Sequence, residues 1–122
     1  MKITHLLVAL CAIVLSTLVS FGQDKRLTTA TFPVSGNCGM CKKTIESSLK
    51  GKPGIGTADW NVQTKLIQVT YDPSLITDEE IHRRISDAGY DTEKKKAPDK
   101  AYNGLMECCK YKRTMHAAAI QK

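Results

Sequence analysis

Cys38 and Cys41 form a Cys-Gly-Met-Cys segment, and their type and spacing predict metal chemistry. Two cysteines separated by two residues can turn both sulfurs toward one point, where the thiolates act as soft ligands. Thiolates of this kind suit Cu(I), which accepts two-coordinate binding, and also Hg(II) or Zn(II). The spacing therefore predicts a site for a soft metal ion, with Cu(I) favoured over Zn(II) or Hg(II).

The same two cysteines stand where a predicted strand gives way to a predicted helix. The first turn of a helix has N–H groups without partners and a partial positive charge, and both stabilise a thiolate. Lys42 and Lys43 follow directly and add positive charge. We therefore expect thiols of lowered pKa that are ready to bind a metal ion near neutral pH.

A Cys-x-x-Cys pair also occurs in thiol-disulfide oxidoreductases, in which Cys38 would be the attacking thiol. In thioredoxin-like chains a longer stretch usually precedes the pair, and a Trp commonly stands directly before it. Here one predicted strand precedes the pair, and Asn37 stands before it. The sequence shows no convincing catalytic grouping of other kinds, so metal binding without catalysis is the preferred prediction and the oxidoreductase is the alternative.

A second cysteine pair, Cys108 and Cys109, lies near the end of the chain. Adjacent cysteines do not easily bind one ion together, and a disulfide between neighbours is strained. One hypothesis is that one of them supplies a third or fourth ligand to the ion at Cys38 and Cys41, or helps to transfer it; His116 could join. The alternative is that one packs beneath a tail helix while the other is idle or pairs with another chain.

The predicted elements around the Cys-x-x-Cys segment alternate between strands and helices. Alternating apolar residues predict a strand from Thr29, a hairpin of 55–62 and 65–71 turning at Gln63-Thr64, and a charged edge strand over 90–97. Apolar residues at helical spacing predict a helix from Cys41 and another behind the capping box that starts at Thr77. The order is the ferredoxin-like βαββαβ plan, an α+β fold with two helices on one face of a four-stranded antiparallel sheet.

The two ends of the chain differ from this central part. A basic start, a short apolar run and small residues before Gln23 predict that residues 1–22 are a signal peptide that is removed. Residues 98–122 are predicted to be an appended tail, helix-compatible over 105–119 and loosely docked. The net charge of +6 is scattered, so no nucleic-acid partner is predicted. We expect a secreted protein, bacterial and periplasmic, whose mature form does not span the membrane and which is a monomer or a metal-bridged dimer.

Several separate motifs resemble the heavy-metal-associated domain. They are Val34 to Cys41, Ile45-Glu46, Val69 to Pro73 and Asp87-Ala88-Gly89-Tyr90. The resemblance covers 28–97. The family includes periplasmic mercury-binding proteins, copper chaperones and the amino-terminal modules of metal-pumping ATPases. It implies the βαββαβ fold, Cys38 and Cys41 as metal ligands, and Tyr90 packed near the sulfurs. It also implies partners, either a membrane metal transporter or another thiolate metal-binding protein.

The loop before the cysteines departs from the family pattern in one respect. The family usually reads Gly-Met-x-Cys-x-x-Cys, with the Met buried beneath the loop. Here Gly36 is followed by Asn37 and then Cys38, so the loop is one residue shorter and this Met is absent. Met40 lies between the two cysteines instead.

Overall fold

The computed structural model describes residues 26–116, so the predicted signal peptide lies outside the described residues. Three antiparallel strands form one sheet in the order β1-β3-β2. The strands are β1 (Thr28–Pro33), β2 (Ile55–Trp60) and β3 (Leu66–Tyr71), and the two main helices are α1 (Gly39–Ser47) and α2 (Asp78–Asp87). Within 26–116, no helix is both long enough and apolar enough to cross a bilayer.

One face of the sheet carries the core and the other faces solvent. Alternate residues of β3, Ile67 and Val69, are fully buried, whereas Gln68 between them is exposed. Both helices contribute to the same apolar cluster, which includes Cys41, Ile45, Leu49, Ile81 and Ile85. The spacing of Cys41, Ile45 and Leu49 therefore predicted the buried stripe of α1 correctly. The α+β prediction is confirmed for three strands and two helices.

The hairpin between β2 and β3 has a longer turn than the predicted Gln63-Thr64 connection. The Asn61 N–H bonds the Leu66 carbonyl at 2.8 Å, and the Lys65 N–H bonds the Asn61 carbonyl at 2.8 Å. The Asn61 side chain accepts the N–H groups of Gln63 and Thr64. Because Asn61 organises the turn in this way, the paired strands end at Trp60 and begin again at Leu66.

The predicted fourth strand over 90–97 is wrong for most of its length. In the described chain this segment makes a single antiparallel bridge, between Thr92 and Val34. After Thr92 the chain turns, since the Thr92 N–H bonds the Lys95 carbonyl at 2.8 Å and the Asp91 carboxylate accepts the Ala97 N–H at 2.7 Å. The side chain of Asp91 thus stabilises a loop at the place where strand pairing after Thr92 would otherwise continue.

The tail helix is also placed differently from the prediction. Helix α3 covers Asp99–Asn103, and a single 3₁₀ turn covers Glu107–Cys109. Residues 111–114 are irregular, so the helix predicted over 105–119 is absent from the part of it that the structure describes. The tail is not loosely docked either, because Cys109 and Tyr111 are buried in the apolar cluster.

Candidate metal centre

Cys38 occupies the N-cap position of α1, with extended backbone angles directly before the first helical residue. No side chain satisfies the first turn by a capping hydrogen bond, so its N–H groups remain available to the Cys38 sulfur. The N–H groups of Cys41 and Met40, followed by the thiols of the neighbouring cysteines, lower the pKa of Cys38. This arrangement agrees with the expectation that the helix start favours a thiolate.

Cys41 lies one turn further along α1 and is fully buried, whereas Cys38 is half-buried. The backbone N–H of Asn37 points at the Cys41 sulfur at a distance of 3.3 Å. The chain before the cysteines therefore curls over the helix start and fixes the inner sulfur. Both thiols are free of disulfides.

Trp60 packs directly beneath this short loop. Its side chain is fully buried, and the indole N–H donates to the Val34 carbonyl at 3.0 Å. A Cβ added to Gly36 would lie 2.9 Å from two atoms of the six-membered ring and 3.3 Å from the Cβ of Cys41. The large indole at the end of β2 thus fills the space under the loop, which is one residue shorter than the family pattern and has no buried Met. No pattern in the sequence indicated this role of Trp60.

Lys42 does not add free positive charge to the site, contrary to expectation. Its ammonium group lies 2.5 Å from both Glu46 and Asp59 and donates to the Trp60 carbonyl at 2.7 Å. Glu46 is itself buried and accepts the Trp60 N–H at 3.0 Å. The lysine charge is therefore neutralised, and it ties α1 to the end of β2 rather than to the thiols.

The second cysteine pair lies against the first one. The sulfurs of Cys38, Cys108 and Cys109 all lie within 4.8 Å of one another. The Cys108 carbonyl accepts the side-chain N–H of Asn37 at 3.3 Å and lies 3.9 Å from the Cys38 sulfur. Thiols that are 70 residues apart in the chain thus meet at one place, a donor set whose softness fits Cu(I), Zn(II) or Hg(II).

The comparisons with known proteins agree with this geometry. The sequence model of the heavy-metal-associated domain matches residues 31–91, half of the chain. The chain belongs to the heavy-metal-associated domain family. The copper chaperone CopZ of Staphylococcus aureus is 36% identical to this heavy-metal-associated domain over 55 residues, which cover 45% of this chain and 81% of CopZ.

Two solved structures extend the comparison to the fold. The CopZ metallochaperone matches with a TM-score of 0.51 and 33% identity, over 53% of this chain and 98% of its own. A copper-binding domain from HMA7, a P-type ATPase, matches with a TM-score of 0.51 and 28% identity, over 52% of this chain and 88% of its own. The matched region ends before the tail, so the tail cysteines are a feature of this chain beyond the family domain.

Tyr90 is fully buried beside the sulfurs of this heavy-metal-associated domain. Burial raises its pKa most strongly, and Cys109 and Cys41 raise it further. Its hydroxyl makes no hydrogen bond with any residue among 26–116. Burial likewise raises the pKa of Cys109 to about 12. The Tyr90 hydroxyl and the Cys109 thiol therefore lie in an apolar part of the site that disfavours their charged forms.

The two histidines of the described region lie away from the sulfurs. The Nε2 atom of His116 donates to the Thr92 carbonyl at 2.6 Å, and His116 is not among the residues that the structure brings to the cysteines. His82 is buried; it stacks on Phe32 with ring centroids 4.0 Å apart and contacts the Thr92 hydroxyl at 2.7 Å. The loop at Thr92 covers this side of α2.

Two residues that hold the tail in place were missed by sequence reasoning. The Tyr111 hydroxyl donates to the Gly89 carbonyl and accepts the Asp91 N–H, both at 2.8 Å. Arg113 pairs with the buried Asp91 carboxylate at 2.7 Å and donates to the Ala97 carbonyl at 2.6 Å. The one available signal was an aromatic residue two positions after Cys109 in an otherwise polar segment.

Proposed function

We propose that this heavy-metal-associated domain carries a soft metal ion, Cu(I) in preference to Zn(II) or Hg(II), bound by the thiolates of Cys38 and Cys41. The observation that carries the proposal is the position of Cys38 at the start of α1, where backbone N–H groups lower its pKa beside the second thiol. A thiolate that forms readily at neutral pH is a ready ligand for a soft ion.

The preference for Cu(I) rests on ligand type and on family. The described residues around the sulfurs offer thiols, a buried phenol and apolar side chains, with no carboxylate or imidazole in the sulfur group. Such a set suits soft ions, and Cu(I) is the one among them that accepts binding by two thiolates alone. The relatives in the comparisons are named as copper proteins, which points in the same direction.

The metal ion is cargo in this proposal, and the protein is not an enzyme. Cys38 is half-buried at the surface while Cys41 is buried, so a partner thiolate can approach the ion from the Cys38 side. Ligand exchange would then pass the ion to a membrane metal transporter or to another thiolate protein. The likeness to a copper-binding domain of a P-type ATPase supports a transporter as the partner.

We further propose that the chain acts outside the cytoplasm, in a bacterial periplasm, after cleavage behind Gly22. The support is the sequence alone, namely the basic start and the apolar run that ends in small residues. Expression of the full chain in a Gram-negative host, followed by fractionation and intact mass measurement, tests this. A periplasmic product that begins at Gln23 is expected, and a full-length product in the cytoplasm would contradict it.

Metal binding is tested on the reduced product of the full chain under anaerobic conditions. Cu(I) and Zn(II) are each titrated against a chromogenic chelator of known affinity. The wild type is expected to bind Cu(I) tightly and Zn(II) more weakly. The Cys38→Ser/Cys41→Ser variant should lose tight binding of Cu(I). Met40→Leu is the matched control, because it removes an exposed thioether between the two cysteines and leaves both thiols in place.

One outcome would replace the proposal by the alternative function. If the intact dithiol binds neither ion tightly, the same protein is assayed for reduction of insulin disulfides. Turnover comparable to that of a thioredoxin, lost on Cys38→Ser, would make the chain an oxidoreductase. Tight binding of Cu(I) that survives in the double Ser variant would place the metal site elsewhere in the chain.

A further inference from the structure

We propose that Cys109 is a third ligand, so that the tail closes the metal site as a three-thiolate centre with Cys38 and Cys41. The inference rests on the proposed function and deepens it, because it names ligands outside the family domain. The sulfurs of Cys108 and Cys109 both lie within 4.8 Å of the Cys38 sulfur, but Cys109 is the buried one and packs in the same cluster as Cys41, whose thiol it contacts. It is therefore the tail residue that meets both members of the Cys-x-x-Cys pair.

The spacing of the sulfurs suits a common ion. Thiolates that surround one ion at about 2.3 Å are about 3.8–4.0 Å apart. The sulfurs of Cys38 and Cys109 lie within 4.8 Å of each other without any ion present. The Cys38 and Cys109 sulfurs are therefore already close to the separation that a shared ion requires.

The position of Cys109 is fixed by contacts that do not involve the cysteines. Tyr111, two residues further on, is held by hydrogen bonds to Gly89 and Asp91. Tyr102 donates to the Tyr111 carbonyl at 2.6 Å, and the rings of Tyr102 and Tyr111 pack edge to face. The tail is thus docked independently of any metal, which pre-organises its thiol for binding.

Tyr90 provides a second observation that points to a ligand at this place. It is fully buried, its hydroxyl has no hydrogen-bond partner among the described residues, and it lies beside Cys109 and Cys41. Buried hydroxyls ordinarily have a partner. A thiolate bound to a metal ion is a good acceptor, so loading the site would satisfy a group that is unpaired without it.

Cys108 has a different place in the same arrangement. It is exposed, its sulfur lies 3.9 Å from that of Cys109, and its carbonyl faces Cys38 and Asn37. Adjacent residues cannot easily direct both sulfurs at one ion without strain. We therefore place Cys108 outside the centre, at the exposed side of Cys109.

The number of sulfur ligands is measured by X-ray absorption of the wild-type exported chain loaded with one equivalent of Cu(I). Two-coordinate Cu(I) gives a strong pre-edge feature and short Cu–S distances, whereas three sulfurs weaken the feature and lengthen the distances. We expect three sulfurs in the wild type and two in Cys109→Ser. Cys108→Ser is the matched control at the adjacent position and should retain three.

The affinity gives an independent readout. Loss of a residue that merely orients a ligand commonly costs about 10–100-fold in metal affinity. We therefore expect Cys109→Ser to weaken Cu(I) binding at least about tenfold, and Cys108→Ser to leave it nearly unchanged. Two sulfurs in the wild type would overturn the proposal without any variant, so it remains testable even if Cys109→Ser does not fold.

The remaining outcomes separate this inference from the proposed function. Binding that depends on Cys38 and Cys41 but not on Cys109 would overturn the third ligand and leave the carrier function intact. Loss of the third sulfur in Cys108→Ser instead of Cys109→Ser would also overturn it, because the ligand would then be the exposed thiol. Absence of any tight Cu(I) binding in the wild type would refute the proposed function itself.

Discussion

Cys38 and Cys41 stand in different surroundings although one helical turn separates them. Cys38 is half-buried at the start of α1, where N–H groups lower its pKa, while Cys41 is fully buried and accepts the Asn37 N–H. An incoming ion or partner thiolate would therefore meet Cys38 first. The exchange of a metal ion would begin at the outer sulfur and end at the inner one.

The packing of the loop before α1 predicts that alanine affects stability differently at Gly36 and at Gly39. Alanine at Gly36 would bring its Cβ to 2.9 Å from the buried Trp60 ring, whereas alanine at Gly39 would meet nothing within 4 Å. Gly36→Ala should destabilise the fold by about 1–3 kcal/mol through overpacking. Gly39→Ala, in the first turn of α1, should be neutral or stabilise it by up to about 1 kcal/mol.

Urea unfolding of the two variants checks this contrast. The midpoint should fall for Gly36→Ala and stay the same or rise for Gly39→Ala. Equal midpoints for both variants would show that Trp60 can move away from the loop. The indole would then not define the loop that holds the two cysteines.

His82 predicts a pH dependence of stability. Burial lowers its pKa below the ordinary value of 6.5. In the unfolded chain His82 binds a proton as the pH falls below about 6.5, whereas in the folded chain it does so only at lower pH. The free energy of unfolding should therefore fall as the pH drops below about 6.5. Each unit of lowering corresponds to about 1.4 kcal/mol. Urea unfolding between pH 7.5 and about 5 should show this decline in the wild type and a smaller one in His82→Gln; equal slopes would contradict the assignment.

At the scale of elements, the segment predicted to be the edge strand instead binds the tail. The predicted strand over 90–97 gives way to a loop whose carboxylate, Asp91, binds Arg113 and the Ala97 N–H. Although burial opposes it, these partners hold the pKa of Asp91 below its ordinary value. The loop after α2 therefore serves to hold the tail and, through it, the second cysteine pair.

Among the contacts of the tail, loss of the Tyr111 hydroxyl should weaken its docking most. Tyr111→Phe leaves a buried N–H of Asp91 and a buried carbonyl of Gly89 without this partner, which costs about 1–3 kcal/mol. Trypsin should consequently remove the tail faster, by cleaving at Lys110 or Lys112. Tyr102→Phe is the control, because it loses one bond at a half-buried site. Equal cleavage rates of the wild type and Tyr111→Phe would show that other contacts hold the tail.

Local sequence signals predicted part of this architecture. The Thr77 capping box is confirmed, since the Thr77 hydroxyl accepts the Glu80 N–H at 3.2 Å, and the buried stripe of α1 follows its apolar periodicity. These features depend on residues a few positions apart. The Cys-x-x-Cys segment at the start of α1 could be placed for the same reason.

Long-range contacts are what the sequence could not reveal. The sequence suggested the hypothesis that a tail cysteine reaches Cys38, but not the contacts that bring it there, which are those of Tyr111 and Arg113 with Asp91. The edge strand was lost because the Asp91 side chain competes for backbone groups. Tertiary packing determines both the position of the tail cysteines and the loss of the edge strand. A single polar segment has no periodicity from which such packing could be predicted.

At the scale of the whole molecule, the ion would join the two ends of the described chain. Cys38 and Cys108 are 70 residues apart in sequence, and the elements between them form one apolar core. An ion bound by Cys38, Cys41 and Cys109 would cross-link the family domain to its tail. Binding and folding would then be coupled, because the unfolded chain does not present these sulfurs together.

This coupling predicts that Cu(I) stabilises the fold. A free Cu(I) concentration at 100 times the dissociation constant adds about 2.7 kcal/mol to the free energy of unfolding. The thermal midpoint of the loaded chain should rise by about 10–20 °C, and by less in Cys109→Ser. Anaerobic thermal unfolding followed by circular dichroism measures both. An equal rise in the two proteins would show that the tail does not share in binding.

The central claim is that one soft ion is held by Cys38 and Cys41, and native mass spectrometry tests it most directly. The reduced product of the full chain is mixed with one equivalent of Cu(I) and an excess of glutathione, a competing thiol, and is sprayed under anaerobic conditions. We predict one copper per chain in the wild type and none in Cys38→Ser/Cys41→Ser. A wild-type chain without copper, or a variant that retains it, would contradict the account.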